Sequence, residues 1–134
     1  MIVVDTNILA HFWLPSESTD LCDKLYQEVP EWAAPILWKS EFRNVISLYL
    51  RKDLIELAEA LLIVEKAAQQ MQERQYHINS VQVLHHVNQS TCPSYDCEFV
   101  SLAKDLDVNL ITMDKQLLNE FSNLAKHPKK IVRK

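Results

Sequence analysis

The sequence predicts a single α/β domain, a mainly parallel sheet covered on both faces by helices. Short apolar runs at residues 2–4, 32–36 and 108–112 alternate with longer segments whose apolar residues recur at helical spacing. That alternation calls for βαβ crossovers, which favour parallel pairing. The 134 residues amount to one domain. They are enough to bury a core without disulfide or metal staples. No repeat or low-complexity linker divides them.

Each element has its own signal. Residues 2–4 (IVV) make a buried strand that delivers Asp5 to its end. A helix starts at Thr6 and Asn7, places Ile8, Leu9 and Phe12 on one face, and stops at Pro15. Residues 16–28 form a second helix with Leu21, Leu25 and Tyr26 on one side, ended by Pro30. Residues 32–36 (WAAPI) read as a short strand limited by Pro35. From Trp38 to Lys52 the chain is helical, with Phe42, Val45, Ile46, Tyr49 and Leu50 in register. Asp53 and Glu56 resemble a capping box for the next helix. That helix carries Leu57, Leu61, Val64, Ala68 and Met71 in one row, for which core packing is the default reading.

Residues 76–79 form a short, weak strand, and Ser80 caps the amphipathic VQVLHHVNQ. Pro93 sits where a first helical residue would, opening a helix that turns Tyr95, Phe99, Leu102, Ala103 and Leu106 inward. VNLIT is a strand, and Asp114 opens a helix through Leu117, Leu118 and Phe121. The basic tail at 126–134 is expected to end in a strand around Ile131 and Val132. The chain has no glycine, so turns and helix ends that need a positive φ must use Asn or Asp.

Apolar residues make up 48% and charged residues 24%, the profile of an ordinary soluble globule. A net charge of −4 argues against a protein coated in positive charge for non-specific nucleic-acid binding. Three cysteines with no CxxC pair imply neither a disulfide framework nor a zinc site. The N-terminus lacks a basic n-region, and no stretch of about 18 uncharged apolar residues exists. The expected location is the cytoplasm, with no membrane partner.

Two strands end alike. IVVDTN and LITMDKQL both run from an apolar strand into an aspartate and then a helix. In parallel sheets, sites form beyond the carboxyl ends of strands at a topological switch point. Asp5 and Asp114 would meet there if their strands are neighbours; otherwise each is simply a helix N-cap. Glu41 in WKSEFRN and Asp96 in CPSYDCEF lie near the starts of their helices. A first-turn acid is commonly a response to the helix dipole, and periodicity alone does not bring the four acids together.

VDTN, SEFRN, SYDCEFVSLA and LITMDKQL, in that order across nearly the whole chain, resemble the PIN-domain ribonucleases. The likeness is nearest to the VapC type, the toxic half of bacterial and archaeal toxin–antitoxin pairs. The resemblance implies a three-layer α/β/α domain over residues 1–134 with strand order 3-2-1-4-5. It implies that Asp5, Glu41, Asp96 and Asp114 form one acidic pocket that binds Mg²⁺ or Mn²⁺ and cuts single-stranded or looped RNA. Asp5, Asp96 and Asp114 are then the metal contacts, and Glu41 orients or deprotonates a water. Thr6, Asn7 and Thr112 match polar residues that would support those acids. The resemblance also implies an antitoxin partner and a homodimer.

There are departures: Thr91 stands where relatives have Gly, and Asp107 or Asn109 stands in a turn where Gly is frequent. Lys39, Arg43 and Lys115 are candidate phosphate guides, each with the plain alternative of a solvated surface charge. Two other functions compete. One is a catalytically silent scaffold that keeps only the fold. The other is a phosphatase or phosphoacceptor domain, disfavoured because DxDxT is missing.

Overall fold

A computed structural model describes residues 1–133, so the expectation for Lys134 within the basic tail lies outside the described residues. Five strands form one all-parallel sheet: β1 (Ile2–Val4), β2 (Trp32–Pro35), β3 (Gln75–Tyr76), β4 (Leu110–Ile111) and β5 (Ala125–Lys126). Their spatial order is β3-β2-β1-β4-β5. Parallel sheets are buried on both faces, so their strands read as continuous apolar runs. Val3, Val4, Ala33, Ala34, Leu110 and Ile111 are all fully buried.

The helices are α1 (Thr6–Trp13), α2 (Thr19–Glu28), α3 (Trp38–Arg51), α4 (Leu57–Met71), α5 (Ser80–Asn88), α6 (Ser94–Leu106) and α7 (Lys115–Glu120). The first four pack on one another, and α4 also reaches β2. Helix α6 packs on α5 and lies across β1, β2 and β4. Together they give the three-layer α/β/α arrangement. Phe99, Val100 and Ala103 of α6 have no solvent exposure. Phe99 and Val100 each contribute about 1.5–3 kcal/mol by leaving water.

The missing glycines have a visible consequence. Among the described residues, two adopt the left-handed conformation, Asp53 (φ 56°) and Asp107 (φ 55°). Both follow helices and close the same pattern. Leu54 N donates to Tyr49 O and Val108 N donates to Ala103 O, each across six residues. Aspartate tolerates this conformation better than most residues because its side chain is short and polar.

Several local expectations are corrected. Asp53 ends α3 and does not open a capping box; α4 begins at Leu57 behind Glu56, which makes no capping bond through its side chain. Leu57 and Leu61 are 62% exposed; of the expected row, Met71 is fully buried and Val64 packs half-buried against the core, joined by Ala60 and Ala67. Asn79, not Ser80, caps α5, accepting from Val81 N at 2.8 Å and Gln82 N at 3.3 Å. Pro93 is the residue before α6 rather than its first member.

Tyr95 is 60% exposed and does not face inward. The final strand is Ala125–Lys126, not Ile131 and Val132. After the short α7, Ala125 and Lys126 are the first residues to reach the free edge of β4, where they pair with Leu110 and Ile111. A 3₁₀ turn at Pro128–Lys130 follows, and Ile131 and Val132 pack half-buried on the core.

Candidate active site

The sheet order reverses direction between β1 and β4, which lie parallel with Val4 opposite Ile111. The chain leaves β1 directly into Asp5, and leaves β4 through Thr112 and Met113 into Asp114. These two aspartates therefore emerge on the same end of adjacent strands, the end where open parallel sheets hold their ligands. Glu41 arrives on the first turn of α3 and Asp96 on the first turn of α6. All four acids line one cleft of about 720 Å³.

Asp5 is the most tightly held. It is buried, and its Oδ1 accepts from Thr6 N at 2.8 Å. Its Oδ2 accepts from Thr112 Oγ1 at 2.7 Å and more weakly from Asn7 Nδ2 at 3.4 Å. Thr112 is itself fully buried, and its hydroxyl oxygen accepts from Asp114 N at 3.0 Å. One threonine thus joins the two strand-end aspartates. Thr6 Oγ1 donates to Glu41 Oε1 at 2.7 Å, tying α1 to α3. Asn7 also touches the Thr112 hydroxyl, at 3.5 Å, and accepts from Met113 N at 3.5 Å.

The capping role and the pocket role coexist at Asp114. Its Oδ1 accepts from Leu117 N at 3.0 Å, as an N-cap should, and among the described residues Oδ2 has no donor. Glu41 Oε2 is likewise free, and Asp96 accepts no hydrogen bond among the described residues. The uncommitted oxygens belong to residues facing one space.

Crowding has an electrostatic signature. Burial pushes the Asp5 carboxyl up to about 6, opposed by its Thr112 and Thr6 hydrogen bonds and reinforced by Glu41 and Asp114. Burial also pushes Asp96 up to about 6, with the charges of Asp5 and Asp114 adding to the rise. Glu41 is raised by burial and by Asp96 and Glu98, against the Thr6 hydrogen bond. Acids in this state gain from a bound cation, which favours their charged forms. The donor set consists of hard oxygens, the chemistry that selects Mg²⁺ or Mn²⁺ over Zn²⁺. Among the described residues, no three His, Cys, Asp or Glu side chains stand close enough together to hold a metal ion unaided. Mg²⁺ needs only one or two direct carboxylates and keeps waters for the rest, so the residues present fit it.

The candidate phosphate guides are placed differently. Lys39 and Arg43 line a separate groove of about 130 Å³ with Trp38, Phe42, Val64 and Ala68. They lie on the flank of α3 turned away from Glu41. Arg43 nevertheless donates to Ser40 Oγ at 3.3 Å, and Ser40 lines the acidic cleft, so that guanidinium stands at its border. Lys115 is exposed beside Asp114 and is not part of the lining.

Sequence reasoning missed part of the wall. Ser40, Asn44 and Val45 line the cleft from α3, and Leu37 lines it from the residue that precedes the helix. They sit three or four residues from Glu41, or from each other, on its helix face. That spacing was available as a signal once Glu41 was singled out. Tyr95 completes the lining from α6. A brace also went unread: Glu120 on α7 accepts from Thr91 N at 2.8 Å and Oγ1 at 2.6 Å, and Gln116 Nε2 donates to Thr91 O at 2.9 Å. It ties the approach to α6, which carries Asp96, to the helix that Asp114 caps.

Comparison with known proteins agrees with this layout. The family described as "PIN domain" matches residues 2–125. PAE2754 from Pyrobaculum aerophilum superposes with a TM-score of 0.77 at 18% identity, covering 97% of this chain and 92% of that one. FitAcB from Neisseria gonorrhoeae superposes with a TM-score of 0.72 at 13% identity, covering 96% of this chain and 99% of that one. At such identities the two structures share the fold with this chain. No curated protein sequence matches it significantly.

Proposed function

The chain belongs to the PIN-domain family, whose members are generally metal-dependent nucleases, and on that premise we propose that it is an Mg²⁺- or Mn²⁺-dependent endoribonuclease of the VapC type. The observation that supports this most is a single cleft lined by Asp5, Glu41, Asp96 and Asp114, two of them raised to about 6. In this reading Asp5, Asp96 and Asp114 hold the cation, directly or through water. When bound, the cation supplies positive charge that acidifies an attacking water and offsets charge growing on the phosphorus oxygens.

The chain's own residues do the rest. Thr112, Thr6 and Asn7 fix the Asp5 carboxylate, so it is oriented before any ligand arrives. Thr6 holds Glu41 by one oxygen and leaves the other to orient a water or take its proton. Arg43 and Lys115, at the border, meet the phosphates of the strand on either side of the cut. Lys39 extends that basic edge along α3.

The reading extends to partners. As a toxin, the protein would be restrained by an antitoxin segment laid across the groove of Trp38, Phe42, Val64 and Ala68, whose lining also includes Lys39 and Arg43. The exposed Leu54, Leu57, Leu61 and Leu62 are the surface on which a homodimer would form. No helix among the described residues is long and apolar enough to cross a membrane. A cytoplasmic site of action follows from the RNA substrate.

The test is cleavage of single-stranded RNA with Mg²⁺ or Mn²⁺ by wild type and Asp5→Asn. Loss of cleavage by about 10²-fold or more in the variant is expected, and equal cleavage by both rejects the nuclease. The alternative is a silent scaffold that keeps the fold without the chemistry. Failure of the folded wild type to bind either cation would favour it.

A further inference from the structure

The acidic cleft has a second character that the chemistry of its floor does not use. Among the described residues, its lining includes no lysine or arginine. A substrate strand is therefore not held there by direct ion pairs with the wall, and the anionic floor repels its phosphates. The remainder of the wall is apolar or neutral: Leu37 just before α3 and Val45 within it, Ser40 and Asn44 beside them, and Tyr95 from α6.

Tyr95 stands out in this set. It directly precedes Asp96, is 60% exposed, and pairs with no other aromatic ring among the described residues. Helical periodicity alone turns it toward the core. Instead it stands on the rim, where it does not contribute to packing. A single exposed aromatic on an open surface needs no explanation. One that lines the cleft next to a candidate metal-holding acid presents a free ring face to whatever the cleft binds. Bases stack on such faces regardless of sequence, because every base has a π-face.

We propose that Tyr95 is a base-stacking residue: it receives the unpaired base of a nucleotide adjoining the scissile phosphate, while Asn44 and Ser40 meet that base's edge from α3. This rests on the nuclease reading and deepens it. It specifies a substrate whose base is free to leave its neighbours, as in a single strand or a loop. The amide of Asn44 offers both a donor and an acceptor, which gives the subsite a means of preferring one base edge over another.

The experiment uses the full chain and a short single-stranded RNA carrying one 2-aminopurine between uridines, a base analogue whose fluorescence falls on stacking. It is read by stopped flow with Mg²⁺, before cleavage accumulates. Wild type and Tyr95→Phe are expected to quench the signal. Tyr95→Leu and Tyr95→Ala are expected to lose the quench and bind roughly 5- to 150-fold more weakly. In steady-state cleavage the same two variants should raise KM much more than they lower kcat. Tyr95→Leu keeps an apolar side chain of similar bulk on an exposed position, so it separates the ring from simple greasiness.

Quenching and affinity that are equal in Tyr95→Leu and Tyr95→Phe overturn the proposal, as does a wild type that gives no quench. Asp5→Asn is run beside them. If it cleaves like wild type, the nuclease reading fails and takes the inference with it. If it is inactive while binding is indifferent to Tyr95, only the inference falls.

Discussion

Asp5 and Asp114 come from the same sequence event, an apolar strand that ends in an aspartate and turns into a helix, yet they have different surroundings. Asp5 is buried, spends both oxygens on Thr6, Thr112 and Asn7, and is pushed up to about 6. Asp114 is half-buried, spends one oxygen on capping α7 and keeps the other free. The local pattern sets where each carboxylate emerges. For Asp5 the electrostatic state is set by what the fold places around it: burial first, then the Thr112 and Thr6 hydrogen bonds and the charges of Glu41 and Asp114. Asp5 is a fixed post in a poorly solvated corner, and Asp114 is a cap with a hand free.

The largest way to break this contrast is to neutralise the post. Asp5→Asn should cut Mg²⁺-dependent cleavage by about 10²-fold or more, measured as RNA cleaved per minute. It should also change the pH dependence of stability. The folded carboxyl sits near 6 against an ordinary 3.8, so between those values the folded protein binds more protons than the unfolded chain. Stability of the metal-free wild type should therefore fall as pH rises from about 4 to about 6, and Asp5 accounts for roughly 3 kcal/mol of that fall. Urea melts in EDTA at the two ends of the window measure it. Asp5→Asn should flatten the slope, and Mg²⁺ should oppose the fall by stabilising the charged form.

Next in size is the threonine that joins the two aspartates. Thr112→Val removes the 2.7 Å bond to Asp5 and the 3.0 Å acceptor for Asp114 N, with little change of volume. Loss of a hydrogen bond to a charged group costs about 1.5–3 kcal/mol at pH 7, and Asp5 should titrate higher still. Carboxyl titration by NMR reads the second effect directly.

Asp114→Ala should cost about 1 kcal/mol through the lost cap, whereas Asp114→Asn should retain most of that stability while losing activity. Thermal melts set against cleavage rates separate the two roles. The smallest effect concerns the absent glycines. Asp107→Gly should stabilise by a few tenths to about 1 kcal/mol, by relieving the left-handed backbone against a cost in chain entropy. Asp107→Ala should destabilise.

The same contrast explains what the sequence made legible. The strands and helices were readable because their signals are local: apolar runs, helical spacing, prolines at ends. That Asn or Asp would replace glycine at positive φ was also local, and Asp53 and Asp107 do so. Asp53 nevertheless resembles a helix start in the sequence, because an aspartate followed by glutamate three residues on fits either a cap or a stop. Leu57 and Leu61 look like core by period but are solvent-exposed, while Ala60, Ala67 and Met71 of the same helix are buried. Ile131 and Val132 look like a strand by composition, but the edge of β4 was already taken by Ala125 and Lys126.

The cleft was legible in a different way. Composition and spacing indicated two strand-end acids and left Glu41 and Asp96 unconnected. Only the order of the motifs, as a resemblance to PIN domains, grouped all four. Tyr95 escaped because periodicity describes the average face of a helix: in the first turn of α6 Cys97 is fully buried while Tyr95 is 60% exposed beside the cleft.

The most direct test of a shared cation site is calorimetric titration of Mn²⁺ into wild type, Asp5→Asn and Asp114→Asn at neutral pH, with folding verified by circular dichroism. The account predicts binding by wild type and a loss of about tenfold or more in each variant, despite the different settings of the two carboxylates. Folded variants that bind Mn²⁺ as wild type does would contradict it.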